Sequence, residues 1–118
     1  MTKQTNPDYL NGVPELLILQ LVSRRAMYGY ELVRAIARTS DDTLQFGESC
    51  IYPILHRLEA GGDLESRREL VGGRSRVVYR ITAGGRKRLR SRVAEWQSVV
   101  AAVTNVLARS SDGKRATA

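Results

Sequence analysis

Six large apolar side chains, Leu89, Val93, Trp96, Val100, Val103 and Leu107, follow one another at spacings of 4, 3, 4, 3 and 4. On a helix turning 100° per residue this run keeps to one line, the seam of a coiled coil, over three heptads. Eighteen residues at a 1.5 Å rise make it about 27 Å long. Left in water, such a line is an aggregation-prone patch, so something must cover it. A chain of 118 residues is one domain, and the segments before the seam suffice to close its core. The seam is therefore expected to join two copies of the chain.

The segments upstream define the rest of the fold. Asn11 can cap a first helix, with Pro14 tolerated in its first turn. Val13, Leu16, Leu17, Ile18, Leu19, Leu21 and Val22 make that helix apolar around much of its girth, so it should be buried on more than one side and join the dimer interface. Tyr28-Gly29-Tyr30 opens a second helix bearing Leu32, Val33 and Ile36, and Ser40-Asp41-Asp42-Thr43 breaks the chain. A third helix runs from about Ser49 to Ala60. Ile51, Ile54, Leu55 and Leu58 form its buried stripe, and Ser49, Pro53, His56 and Ala60 lie opposite, flanked by Tyr52 and Arg57. Gly61-Gly62 ends it. Two extended runs, 64–70 and 75–82, then flank Val71-Gly72-Gly73-Arg74 and read as a hairpin. In the second run Val77, Tyr79 and Ile81 face inward and Arg76, Val78 and Arg80 outward. Thr82 is the expected N-cap of the seam helix, which should end near Ala108.

Charge locates a binding surface. The chain carries +7 from 19 Lys+Arg and 12 Asp+Glu. Residues 67–92 hold ten cations against Glu69 alone, and the remainder sums to −2, nine cations against eleven anions. So concentrated a charge favours a polyanionic partner, with nucleic acid first. The element order, three helices, a basic two-stranded hairpin and a long last helix, is that of a winged helix-turn-helix: an α+β fold, mainly α, with a C-terminal dimerisation helix. The short, polar outward face of the third helix suits a major groove. The candidate DNA-binding residues are Ser49, Tyr52, Pro53, His56 and Arg57 on that helix, with Arg74 and Arg76 of the hairpin on phosphates. Tyr52 can instead pack the flank of the third helix, Arg57 can equally pair with an acid on the domain surface, and Tyr28 and Tyr30 read as packing residues.

The blocks Tyr28-Gly29-Tyr30-Glu31-Leu32, Ile51-Tyr52-Pro53-Ile54-Leu55-His56-Arg57-Leu58-Glu59, Gly72-Gly73-Arg74 and Tyr79-Arg80-Ile81-Thr82-Ala83-Gly84-Gly85-Arg86 resemble the PadR family of bacterial transcriptional regulators over residues 10–108. The resemblance implies a homodimeric repressor of a two-fold symmetric operator on double-stranded DNA, released when a small molecule binds. With a single C-terminal helix the chain is similar to the compact subfamily, which includes multidrug-sensing members. There the effector, a small aromatic or hydrophobic compound, would meet Trp96, with Val93 and Val100 beside it. Two departures stand out. Ser49-Cys50 replace the family's small residue and threonine, so no base preference carries over. Asp63 replaces an apolar residue and should alter only the entry to the hairpin.

The expected organisation is a flexible arm over 1–9, the DNA-binding domain over 10–82, the dimerisation helix over 83–108 and a disordered tail over 109–118. One histidine (His56) and one cysteine (Cys50, read as a packing thiol) cannot build a catalytic constellation, a disulfide or a metal cluster, so neither an enzyme nor a bound cofactor is expected. No apolar run is long enough to span a bilayer, and the first residues lack a secretory signal's apolar core, which makes a cytoplasmic location the expectation. A basic membrane-surface protein is the physical rival, since Arg86 to Arg92 flank an amphipathic helix. A narrow seam argues for helix pairing instead. The chain also lacks the aromatic platform usual in single-strand RNA readers.

Overall fold

The computed structural model describes residues 12–117. Its elements are α1 (Val13–Arg24), β1 (Met27–Tyr28), α2 (Gly29–Thr39), α3 (Glu48–Ala60), β2 (Leu64–Val71), β3 (Arg74–Ile81) and α4 (Ala83–Thr117). The arm over 1–9 and the Asn11 cap lie outside the described residues. The N-cap observed for α1 is Gly12, whose φ of 87° is left-handed and comfortable for glycine.

Ile18, Leu19, Leu32, Ile36, Ile51, Leu55 and Leu64 are fully buried and place the core between α1, α2, α3 and the sheet. Met27 and Phe46 belong to it as well. Both sit outside any periodic run, which is why patterning alone did not single them out. The sheet has three strands in the order β1-β3-β2, not the two expected. β1 pairs antiparallel with β3, Met27 opposite Tyr79 and Tyr28 opposite Val78. Two residues are too short to show alternation, so this strand is legible only from its partner. Its presence also corrects Val78, which is buried instead of facing water with Arg76 and Arg80.

β2 and β3 pair in full register from Leu64 opposite Ile81 to Val71 opposite Arg74. The two-residue turn Gly72-Gly73 has positive φ at both positions, 58° and 80°, as a tight hairpin with the strands' right-handed twist requires. Thr82 caps α4 as expected, its hydroxyl accepting from the Gly85 amide at 3.0 Å. Gly85 itself is required by packing: a Cβ there would stand 2.1 Å from the Asp63 carbonyl oxygen.

Asp63 does more than redirect the chain. It is buried and accepts from Arg88 Nε at 2.7 Å, fastening the hairpin's entry to α4. α4 is longer than expected: residues 109–117 continue the helix through Thr117 instead of forming a disordered tail. No proline interrupts them, and a helix once nucleated gains one hydrogen bond per residue added. Thirty-five residues make a rod of about 52 Å. Leu89 packs on the chain's own core and Val93 is half-buried, which corrects the expectation that the whole seam serves a second copy. From Trp96 onward the seam is bare. Val99 and Val106 widen the exposed apolar face beyond the narrow line, to about 120° of circumference with Trp96, Val100, Val103 and Leu107.

Candidate nucleic-acid interface

The outward face of α3 is built by default. Once Ile51, Leu55 and Leu58 enter the core, a 3.6-residue repeat leaves Ser49, Pro53 and His56 exposed together. Pro53 has no amide hydrogen, so the Ser49 carbonyl lacks its usual i+4 donor within the helix. Hydroxyl, carbonyl and imidazole thus stand on one surface with no charged group among them.

The two flanks of this face are tied to neighbouring helices. The Tyr52 ring lies where a Cβ on Gly29 would be, with its Cε1 and Cζ 2.5 Å from that position. It therefore packs α3 on the start of α2, while Tyr52 stays half-buried on the flank of the outward face. The Tyr52 and His56 rings remain close, with centroids 6.4 Å apart and planes tilted by 45°. On the other flank Arg57 donates to Glu15 Oε1 at 3.1 Å while staying largely exposed, so its partner is the acid that the sequence left open. Beneath them, burial first, then Glu59 and Tyr52, raise the Tyr79 hydroxyl's pKa above its ordinary value.

The hairpin meets this face through Tyr28. The Arg76 guanidinium lies 4.4 Å from the centre of the Tyr28 ring, a cation–π stack. Tyr28 precedes the glycine that receives Tyr52, so Arg76, Tyr28, Gly29, Tyr52 and His56 form one continuous path from hairpin to helix. Arg74, at the hairpin tip, is exposed and has no partner among the described residues. Arg67 is likewise exposed, and Arg68 reaches only Ser75 Oγ, at 3.5 Å. Other cations of the 67–92 cluster are spent within the fold: Arg80 on Glu69, Arg88 on Asp63, and Arg92 on Glu15 and Glu95. Within this cluster the cations without an acidic partner are those of the hairpin together with Arg86, Lys87 and Arg90, exposed at the start of α4, where Arg86 reaches only the Ser23 carbonyl at 3.4 Å.

Glu15 was not singled out by sequence, although a lone acid in an apolar helix is a signal. It is buried, 6% exposed, with Arg57 on Oε1 and Arg92 on Oε2 at 2.9 Å. Arg88 lies 3.6 Å from Oε2. Burial pushes its pKa up, but the hydrogen bonds from Arg57 and Arg92 and the charges of Arg92 and Arg88 outweigh that and hold it below the ordinary value. The same carboxylate raises the pKa of Arg92.

Beside this acid a groove of about 180 Å³ separates α1 from α4, lined by Gly12, Val13, Leu16, Arg92, Glu95, Trp96 and Val99. Of the three expected effector residues only Trp96 lines it within one chain. Val93 and Val100 do not. Among the described residues no cluster of His, Cys, Asp or Glu could hold a metal, and no helix is long and apolar enough to cross a membrane.

Three helices, a hairpin wing and an extended last helix define a winged-helix protein of the transcription-regulator class. Comparison narrows the class: residues 18–91 match the family model of the transcriptional regulator PadR-like family, and the chain belongs to that family. A Mycobacterium tuberculosis transcriptional regulator is 34% identical over 82 residues, covering 70% of this chain and 74% of the relative. A Bacillus cereus PadR-like transcriptional regulator of known structure aligns with a TM-score of 0.75 at 30% identity, over 86% of this chain and 97% of that one. A Clostridium thermocellum transcriptional regulator aligns at 0.77 and 27% identity, over 84% and 97%. These relatives are regulators of transcription and not enzymes.

Proposed function

We propose that this regulator is a homodimeric repressor that binds a two-fold symmetric operator on double-stranded DNA. α3 enters the major groove, with Ser49, Pro53 and His56 reading base edges, while Arg74, Arg67 and Arg68 of the wing neutralise flanking phosphates. The observation that carries this is the continuous path from Arg76 through Tyr28 and Tyr52 to His56, which brings a wing of unpaired cations against an uncharged helix face. Tyr52 and Arg57 support the face from its flanks. Dimerisation is supported by the bare apolar surface from Trp96 to Leu107, which water would make costly. A small planar hydrophobic effector is read at Trp96, where the α1–α4 groove opens beside that surface.

The test is binding to duplexes from the promoter upstream of the protein's own gene, followed by fluorescence anisotropy at several salt concentrations. Tight binding to a symmetric site, weakening steeply with salt, is expected. Binding indifferent to sequence and salt refutes the reading. A panel of planar dyes should quench Trp96 and weaken operator binding, and silence across the panel removes the effector from the proposal.

A further inference from the structure

A single carboxylate joins the helix that reads DNA to the helix that pairs the subunits. Arg57 approaches Glu15 from α3 and takes one oxygen, while Arg92 approaches from α4 and takes the other. Arg88 adds a second α4 charge to the same side. The acid stands on α1, buried, so it cannot swing to serve one partner alone. No direct bond between Arg57 and Arg92 is needed: each is oriented by a carboxylate whose remaining oxygen is held by the other. Arg92 also lines the groove beside Trp96, and Arg57 follows His56 in the chain and flanks the outward face of α3.

We propose that Glu15 is a positioning residue that sets the orientation of α3 relative to α4, so that a change at Arg92 on the dimer helix is transmitted to the DNA-reading face. In a two-fold pair, the angle between these helices fixes the separation of the two reading faces, and operator spacing is sensitive to it. A charged acceptor held from both sides suits this role better than an apolar contact, because hydrogen bonds to ionised groups are short and directional. The inference rests on the DNA reading above for its consequence, but its first readout does not need DNA.

His56 is the chain's one histidine, so its imidazole gives unique NMR signals. Arg92→Ala should shift those signals, although residue 92 is on another helix. In a Glu15→Gln background, which keeps the side chain's size and removes its charge, the same substitution should leave them where Glu15→Gln alone puts them. Operator affinity, measured on a duplex selected by the wild-type protein from random-sequence DNA, should follow. Arg92→Ala should weaken it on the order of tenfold in the wild-type background and not at all beside Glu15→Gln, while helix content by circular dichroism stays native. Should Glu15→Gln fail to fold, Glu15→Asp serves: one methylene shorter, it cannot span both arginines and should decouple Arg92 from His56 in the same way. Unmoved His56 signals in Arg92→Ala, or equal shifts with and without Glu15, overturn the proposal. Shifts that obey the cycle in a protein that selects no DNA uphold the coupling and refute the DNA reading alone.

Discussion

Gly29→Ala tests how α3 is seated. At an ordinary helical position this change would stabilise the protein by about 1 kcal/mol, because alanine is the better helix former. Here the added Cβ would lie 2.5 Å from two carbons of the Tyr52 ring and 2.6 Å from its hydroxyl oxygen. Such separations are far inside van der Waals contact, so the ring or the whole of α3 must move. Overpacking of this kind costs roughly 1–3 kcal/mol. Gly29 is the first residue of α2, where that gain is small, so the protein should lose about 1–3 kcal/mol, and at roughly 4 °C per kcal/mol for a domain of this size its Tm should fall by about 4–12 °C. Differential scanning calorimetry reads the shift. Operator affinity should fall by more than stability does, since Tyr52 is one turn from His56 on α3. Tyr52→Leu removes the ring, so the double variant should be more stable than additivity of the two single changes allows. A Gly29→Ala protein as stable as the wild type, with unchanged DNA binding, would refute the claim that Tyr52 seats the helix.

Acid should remove what Glu15 contributes. Its folded pKa is depressed, so its stabilisation is complete above the ordinary carboxylate range near about 4.3 and is lost as pH falls through the lower folded value. Urea titrations should therefore show Glu15→Gln less stable than wild type at pH 7, by on the order of 1–3 kcal/mol given the half-exposed arginines, with the difference shrinking in acid. A gap that persists undiminished to pH 2 contradicts the assignment. Val103→Glu puts a charge in the middle of the bare face of α4 and should yield monomers by sedimentation velocity at micromolar concentration, with the helix content unchanged. Arg74→Ala should weaken binding to all duplexes alike and reduce the salt slope by about one, whereas His56→Ala should cost about 1–3 kcal/mol on the preferred site and little elsewhere.

Much of this was legible locally. The Gly72-Gly73 turn, the Thr82 cap, the buried stripe of α3 and the heptad of α4 depend on neighbours within one or two turns, and periodicity exposes such relations directly. The outward face of α3 followed from the same arithmetic, because what a helix does not bury it shows. Contacts between distant segments were not legible. β1 exists because Met27 and Tyr28 meet β3 some fifty residues later, and that pairing buries Val78 on a face the alternation assigned to solvent. Tyr52 and Arg57 stood correctly on the flanks, but only the packed helices decide that one leans on Gly29 and the other on Glu15.

Sequence by itself determined the four helices, the β2–β3 hairpin, their order and the apolar stripes of the helices, since these depend on backbone preference and on spacing along the chain. Tertiary structure alone decided how the charge is spent. A count of arginines cannot separate those that neutralise Glu15, Asp63 and Glu69 from those left on the wing, because Coulomb pairing depends on distance in space and on burial, and neither is written in the order of residues.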